Sequence, residues 1–451
     1  MKGLIIAGTQ SGVGKTTVTV GLIGVLRERG VSVAPFKAGP DYIDPTYHAA
    51  AAGVPSRNLD TWMMPVAAVR RSLSRAASRA DLAVIEGVMG LFDGRTGEDD
   101  AGSTAHLAKL LGLPVVLVVD AAAMGRSAAA MVLGYRQFDP GVQLAGVILN
   151  NLGSEGHFAI VRNGIERQAH VRVLGGLYRD TALALPERHL GLIPAVERPP
   201  EEALSAAAAA VARGVDIDAL LALAAELPTS VVAEPLPAPE QRVPIAVAVD
   251  RAFSFYYEDG LDALRDAGAE VLPFSPLADT SLPCGARGLY IGGGFPEVFA
   301  VELAANAAMQ HALRSFAAAG HPIVAECGGH MYLGEELIDV AGRAHAMAGL
   351  TPVRSTMQGT RLTLGYRVAR ALRDGPLFAA GESFRAHEFH LSATSQAAHP
   401  DAAWEVIEPA IGLSGFARGN LVGSYLHLHF GAFPGAAGRF VGACSAQGGT
   451  P

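Results

Sequence analysis

Two separated stretches carry residue types that do chemistry. In "PIVAECGGHMYLG" (322–334) an apolar strand delivers Cys327 straight into Gly328 and Gly329. A strand that turns sharply into a helix lifts its side chain clear of the sheet and sets it at the positive end of the helix. A free thiol, with a pKa of about 8.5, is only slightly ionised at neutral pH. To act as a nucleophile it needs that dipole and a base. "GNLVGSYLHLHF" (419–430) offers the base in His427, with His429 as a second candidate two residues on, on the same face of a continuing strand. "GGGFP" (292–296) supplies small residues whose N–H groups can hold an oxyanion; Gly293 and Gly294 are the candidates, with Gly328 from the cysteine turn.

The other stretch is "IIAGTQSGVGKTTV" (5–18), a strand, a glycine-rich turn and a helix start. Backbone N–H groups ring a phosphate only where side chains do not crowd them, hence Gly8, Gly12 and Gly14. Lys15 brings a point charge to the β- and γ-phosphates, Thr16 a hydroxyl for Mg²⁺, and Thr17 extends the cradle. The strict G-x-x-x-x-G-K-[ST] pattern is missed by one position, because Thr9 stands where its first glycine belongs. A metal-bound triphosphate also needs carboxylates. Glu86 ends the apolar run of "DLAVIEGVMGLFDG", and Asp41 and Asp44 follow a second strand in "FKAGPDYIDPTYH". Thr16, Asp44 and Glu86 are the metal candidates. Asn150, in "GVILNN", carries an amide suited to a base edge or to a turn.

These residues need a scaffold. "GLIIAG", "VSVAPFK", "LAVIEG", "PVVLVVD" and "LAGVILN" read as buried parallel strands, separated by segments that are apolar at helical spacing. That alternation predicts an α/β fold with a doubly wound parallel sheet, whose ligands sit at the carboxyl ends of the strands. Four prolines crowd "VVAEPLPAPEQRVP" (231–244), which holds neither helix nor central strand. We expect a P-loop domain over 1–232, a linker over 233–243 and a second α/β domain over 244–451. No internal repeat relates the halves.

The chain has 451 residues, enough for two or three domains, with 17% charged residues and a formal net charge of −8. No basic run stands out, which argues against nucleic acid and anionic membrane as partners. Its three cysteines are widely spaced with no C-x-x-C pair, which fits a reducing cytoplasm. No apolar stretch reaches the length of a bilayer span, and "MKGLIIAG" is too short for a signal peptide.

"GTQSGVGKTT", "EGVMGLFDG" and "LGLIP" resemble the dethiobiotin-synthetase-like branch of P-loop ATPases. That resemblance implies ATP and Mg²⁺, phosphorylation of a carboxylate, and attack on the acyl phosphate by nitrogen. The second half resembles class I (triad-type) glutamine amidotransferases, in which Gly423-Ser-Tyr-Leu-His427 matches the segment that brings the histidine. Two positions depart from that family: Ala325 replaces the usual glycine two before the cysteine, and His429 replaces the usual glutamate two after the histidine. Free ammonia is mostly protonated in neutral water, so fusing the sites and tunnelling between them makes physical sense.

Across essentially the whole chain the combination resembles the cobalamin-pathway amidases. "KAGPDYIDPTYH", "DRAFSFYYEDGLDALRDAGAEVLPFSPLAD" and "SYLHLHF" favour the members that amidate the a- and c-acetate side chains over those that amidate four other carboxylates. The resemblance implies a corrinoid tetrapyrrole and L-glutamine as partners, with Asp41, Tyr42 and His48 at the tetrapyrrole rim. Cobalt-bearing, metal-free (hydrogenobyrinic acid) and nickel (sirohydrochlorin) rings all stay open, as does a homodimer. A rival of another class is a P-loop regulatory or partitioning ATPase with a non-catalytic second domain. Gln10 stands where partitioning ATPases carry a second lysine, which weighs against it. "FRAHEFHLS" (384–392) alternates His, Glu and Arg; such a strand is a metal site less often than a packed polar face.

Overall fold

The computed structural model describes residues 1–188, 191–227, 242–395 and 400–446, which form two compact units divided between Glu234 and Pro235. The expected linker at 233–243 lies outside the described residues except for its last two positions.

The first unit is built on strands β1 (Lys2–Gly8), β2 (Val33–Ala38), β3 (Arg57–Leu59), β4 (Leu82–Glu86), β5 (Val115–Asp120), β6 (Leu144–Leu152) and β7 (Val173–Tyr178). They lie in the order β3-β2-β4-β1-β5-β6-β7, all parallel, and Ala225–Glu226 adds a short antiparallel pairing at the start of β1. Because helices cover both faces, β4 is buried at every position and β1 at all but its first, so their sequences run apolar rather than alternate. Helix α1 (Lys15–Glu28) follows β1 and packs along the alanine-rich helix Glu201–Gly214. That packing requires Gly21, since a Cβ there would lie 2.6 Å from the Ala207 carbonyl oxygen. Helix α2 (Asp44–Ala52) begins with an acidic residue and a proline, both favoured in a first turn, and ends on Gly53 in the left-handed conformation. The register places the ends of β1, β2 and β4 side by side, so the turns that follow them share one rim.

The second unit has a six-stranded sheet in the order Ala269–Phe274, Val243–Ala248, Gly288–Ile291, Ile323–Glu326, Leu421–Ser424 and Phe416–Arg418. The first five are parallel and the last is antiparallel. The strand that ends in the cysteine therefore lies directly beside the one that leads to His427. A second, antiparallel sheet orders Gly412–Ser414, Trp404–Glu408, Thr363–Ala371, Ser383–His390 and Leu426–His427. The segment around His427 leaves the first sheet and joins the second, pairing opposite His387. Its strand stops at His427, so period-two alternation does not carry to His429. Among the described residues no helix is long and apolar enough to cross a membrane.

Candidate active site

In the first unit the turn after β1 contains glycines in the left-handed backbone region, where a side chain would be strained. Gly14, the N-cap of α1, has φ +91°, and a Cβ on it would lie 2.1 Å from Asn150 Nδ2. Asn150 is buried at the end of β6 and donates Nδ2–H to the Val13 carbonyl at 2.9 Å, so this amide braces the phosphate loop. Gly12 also has positive φ, and no atom stands within 4 Å of where its Cβ would be. Lys15 is buried and donates to the carbonyls of Gln10 (3.0 Å) and Met89 (2.7 Å). Thr16 Oγ1 donates to Glu86 Oε1 at 2.9 Å, and Thr17, next on the helix, is half-buried.

The rim beside it centres on a residue the sequence reading passed over. Lys37, the penultimate residue of β2, is 2% exposed and points its ammonium at three carboxylates. Its Nζ lies 2.5 Å from Asp44 Oδ2, 2.7 Å from Glu86 Oε1 and 3.7 Å from Asp41 Oδ2. Burial alone would discharge Lys37, but Asp44, Glu86 and Asp41 more than reverse this and hold it above the ordinary lysine range. Burial likewise opposes the charge on Glu86, which Lys37 and His48 outweigh, so its carboxyl stays well below the usual range. One ammonium does not satisfy three acids. Burial, then repulsion from Asp41, push the Asp44 carboxyl up despite Lys37. Lys15 is lowered by burial and then by Lys37.

The residues taken as tetrapyrrole contacts divide. Asp41 is partly exposed; its Oδ1 accepts from the N–H groups of Ile43 (2.8 Å) and Asp44 (3.1 Å), fixing the start of α2. Tyr42 is buried. His48 needs correction: it is fully buried, and its Nε2 shares a 2.6 Å hydrogen bond with Glu86 Oε2. It orients the carboxylate from behind and does not reach the rim. A lysine ending a strand and a histidine four residues into a helix give no sequence signal of meeting one glutamate.

In the second unit Cys327 has φ +47° and ψ −105°, a region that side chains rarely occupy, and caps the helix Gly328–Leu333. The turn forms with Ala325 in place of glycine. Cys327 N–H donates to the Ser424 carbonyl at 2.7 Å, tying the elbow to the strand that leads to His427. The thiol points to the Phe389 carbonyl at 3.7 Å, under the antiparallel sheet. From sequence, ionising this thiol takes the helix dipole and a base together. Burial, then the Glu297 carboxylate, push it above the ordinary thiol range, and a six-residue helix offers a weak dipole against that, which leaves the larger part to the base. Burial thus favours the protonated sulfur, and a nucleophilic role would require a base to take its proton.

The glycines bring the candidate base, His427, close. A Cβ on Gly293 would lie 2.5 Å from His427 Cε1, and one on Gly328 would lie 3.0 Å from the Gly294 N atom. Thus Gly293, Gly294, Gly328 and the fully buried His427 converge around the elbow. His429 goes elsewhere: its ring stacks on Tyr257 at 4.6 Å and its Nδ1 accepts from Ala432 N–H at 3.2 Å. The carboxylate facing His427 is Glu326, with Oε2 3.7 Å from Nδ1. In the polar strand above, the Glu388 carboxylate is held by Arg367 Nε (2.7 Å) and shares a hydrogen bond with His390 Nε2 (3.0 Å). Among the described residues no group of three or more acidic, histidine or cysteine side chains is arranged to hold a metal by itself.

Fold and site together define a class: a P-loop nucleotide-binding unit followed by a glutamine amidotransferase unit of the Cys/His type. Residues 4–193 match the CobQ/CobB/MinD/ParA nucleotide binding domain, and 244–435 match the CobB/CobQ-like glutamine amidotransferase domain. The chain is 45% identical to the cobyrinate a,c-diamide synthase of Syntrophotalea carbinolica, covering 98% of this chain and 99% of that one. It is 46% identical to the enzyme of that name from Gloeobacter violaceus, over 98% and 97% of the two chains. It is 42% identical to the hydrogenobyrinate a,c-diamide synthase of Streptomyces coelicolor, again over 98% and 97%. The chain belongs to the cobyrinate a,c-diamide synthase family, glutamine-hydrolysing amidating ligases.

Proposed function

We propose that this enzyme amidates the a- and c-acetate carboxylates of cobyrinic acid, using ATP, Mg²⁺ and L-glutamine. The observation that carries this reading is the presence in one chain of a cysteine elbow beside His427 and a phosphate loop beside a buried Lys37–carboxylate cluster.

In the first unit the backbone of Gly12–Thr17 holds the triphosphate, with Lys15 moving from the Gln10 and Met89 carbonyls to the phosphate oxygens. The donors at hand suit Mg²⁺: a hydroxyl and carboxylates, all oxygen, with the burial and Asp41 repulsion at Asp44 only partly offset by Lys37. Thr16, Glu86 and Asp44 would hold it, and when bound it neutralises charge on the transferring phosphoryl group. A substrate acetate oxygen attacks the γ-phosphorus, ADP leaves, and an acyl phosphate remains. Lys37 lies where it can screen the incoming acetate from the acidic rim. In the second unit His427 takes the proton of Cys327 as sulfur attacks the glutamine amide carbon. The N–H groups around Gly293, Gly294 and Gly328 hold the oxyanion. His427 returns the proton to the leaving nitrogen, ammonia departs, and water hydrolyses the glutamyl thioester. Ammonia then attacks the acyl carbon and phosphate leaves. The enzyme acts as a soluble cytoplasmic protein.

The test is mass spectrometry of corrinoids incubated with purified enzyme, ATP, Mg²⁺ and glutamine. Cobyrinic acid and hydrogenobyrinic acid are offered in parallel, because a relative is named for the metal-free ring. Two successive amidations of cobyrinic acid are expected; amidation of hydrogenobyrinic acid alone contradicts the choice of ring, and no amidation of either pigment sinks the proposal.

A further inference from the structure

The class I pattern places a glutamate two residues after its histidine, and here that place holds His429, turned away against Tyr257. We propose that Glu326, the residue before the nucleophile, is the positioning carboxylate for His427, so that one strand end supplies both the thiol and the group that orients its base. This rests on the glutaminase reading of Cys327 and His427.

The geometry is specific at both oxygens. Glu326 is 3% exposed and its Oε2 lies 3.7 Å from His427 Nδ1, an ion-pair separation rather than a hydrogen bond. Such contacts are commonly long without substrate and tighten when it binds. Oε2 also accepts from Tyr290 O–H at 2.9 Å, and Oε1 accepts from Leu428 N–H at 3.0 Å. The carboxylate therefore grips the backbone one residue beyond His427 and faces its ring at the same time. Tyr290 stays protonated as a donor, because burial, then Glu326, push its phenol well above the usual range. The parallel register that sets Glu326 opposite Ser424 brings the following His427 within reach.

The role follows from charge. When Cys327 gives up its proton, His427 becomes an imidazolium inside a buried site. Glu326 is placed to supply the counter-charge on its Nδ1 side. His387, opposite on the antiparallel strand with Arg367 beyond it, is held neutral by burial. Glu297, Glu326 and Glu388 all oppose ionisation of the thiol, and of the three Glu326 is the one placed against His427 Nδ1. Glu326 stabilises the imidazolium and holds the Nδ1–H tautomer that leaves Nε2 to accept the thiol proton.

The test compares Glu326→Gln and Glu326→Asp in the full chain, with ammonia-dependent amidation of the corrinoid as the control for folding. For Glu326→Gln, glutamine hydrolysis falls about 10²-fold or more in kcat, with KM little changed. The alkaline-rising limb of kcat/KM shifts, ammonia-dependent amidation persists, and Glu326→Asp recovers part of the rate. Glutamine hydrolysis at the unaltered rate with an unshifted pH profile in Glu326→Gln overturns this role alone. An equal loss in both variants, with the pH profile unmoved, also overturns it, because that pattern marks packing and not charge. No glutamine hydrolysis by the unaltered enzyme overturns the glutaminase reading and this role together.

Discussion

Lys37 Nζ lies 2.7 Å from Glu86 Oε1 with both side chains removed from solvent. The pair joins the ends of two adjacent parallel strands, and Asp44 and Asp41 approach the same ammonium from the next turn. Removing one partner of a buried ionic cluster leaves uncompensated charge, which typically costs about 3–5 kcal/mol. Lys37→Met should therefore destabilise the first unit by an amount of that order, seen as a lower denaturation midpoint, and abolish ATP-dependent amidation. Glutamine hydrolysis by the second unit should remain. An unchanged midpoint would show that the cluster does not hold the rim.

The same cluster has an acid side and a metal dependence. Glu86 is depressed in the folded state, so its contribution is complete above the unfolded carboxyl range near pH 4 and is lost as pH falls below it. Lys37 is raised, so its contribution is complete below about pH 10 and is lost only in stronger alkali. Asp44 runs oppositely: its raised carboxyl costs stability as pH climbs above the carboxylate range, and a bound cation relieves that cost. Mg²⁺ with a non-hydrolysable ATP analogue should raise Tm more at pH 8 than at pH 5. Equal increments at both values would contradict it.

In the second unit, burial and then His427 hold His387 down to about 3, a group that must stay neutral in the fold. An unfolded histidine titrates near 6.5, so stability is full above that and falls as pH drops toward 3, by up to about 5 kcal/mol. Denaturant midpoints read by a probe in the second unit should fall between pH 6.5 and 4. His387→Asn should flatten that slope.

The glycines at the thiol site predict a selective lesion. Gly293→Ala puts a methyl group 2.5 Å from His427 Cε1. Displacing that ring should cost about 10²-fold in glutamine hydrolysis while ammonia-supported amidation continues. Wild-type glutaminase activity in this variant would mean that His427 is not held there.

The buried, protonated state of Cys327 predicts an order of labelling. Cys284 is exposed, whereas Cys327 and Cys444 are buried. Brief iodoacetamide treatment at pH 7 should modify Cys284 before Cys327, by peptide mass mapping. Faster loss of Cys327 would indicate a thiolate already formed at rest.

Much of this arrangement was legible because it is local. The glycine turn ahead of Lys15 and the elbow at Cys327 are contiguous strings whose backbone demands can be read directly. Lys37 and Glu326 were not legible, for a common reason: each ends or nearly ends an apolar strand, where a charge reads as the last step toward solvent. Their partners come from neighbouring strands and later turns, so only sheet order and register reveal them. His48 misled for the opposite reason. It sits in a polar, carboxylate-rich stretch, yet the first turns of its helix rotate it inward behind Glu86. His429 misled through period-two spacing, which holds only while the strand continues, and this one stops at His427.

The central claim is that nitrogen freed at Cys327 ends on the carboxylate activated beside Lys15. It is tested most directly with Cys327→Ala, comparing corrinoid amidation from amide-¹⁵N glutamine and from ammonium at alkaline pH. The unaltered enzyme should place ¹⁵N in both new amides. The variant should place none from glutamine yet amidate with ammonium at close to the unaltered rate. Transfer of ¹⁵N from glutamine by the folded variant, or its failure with ammonium, would contradict the account.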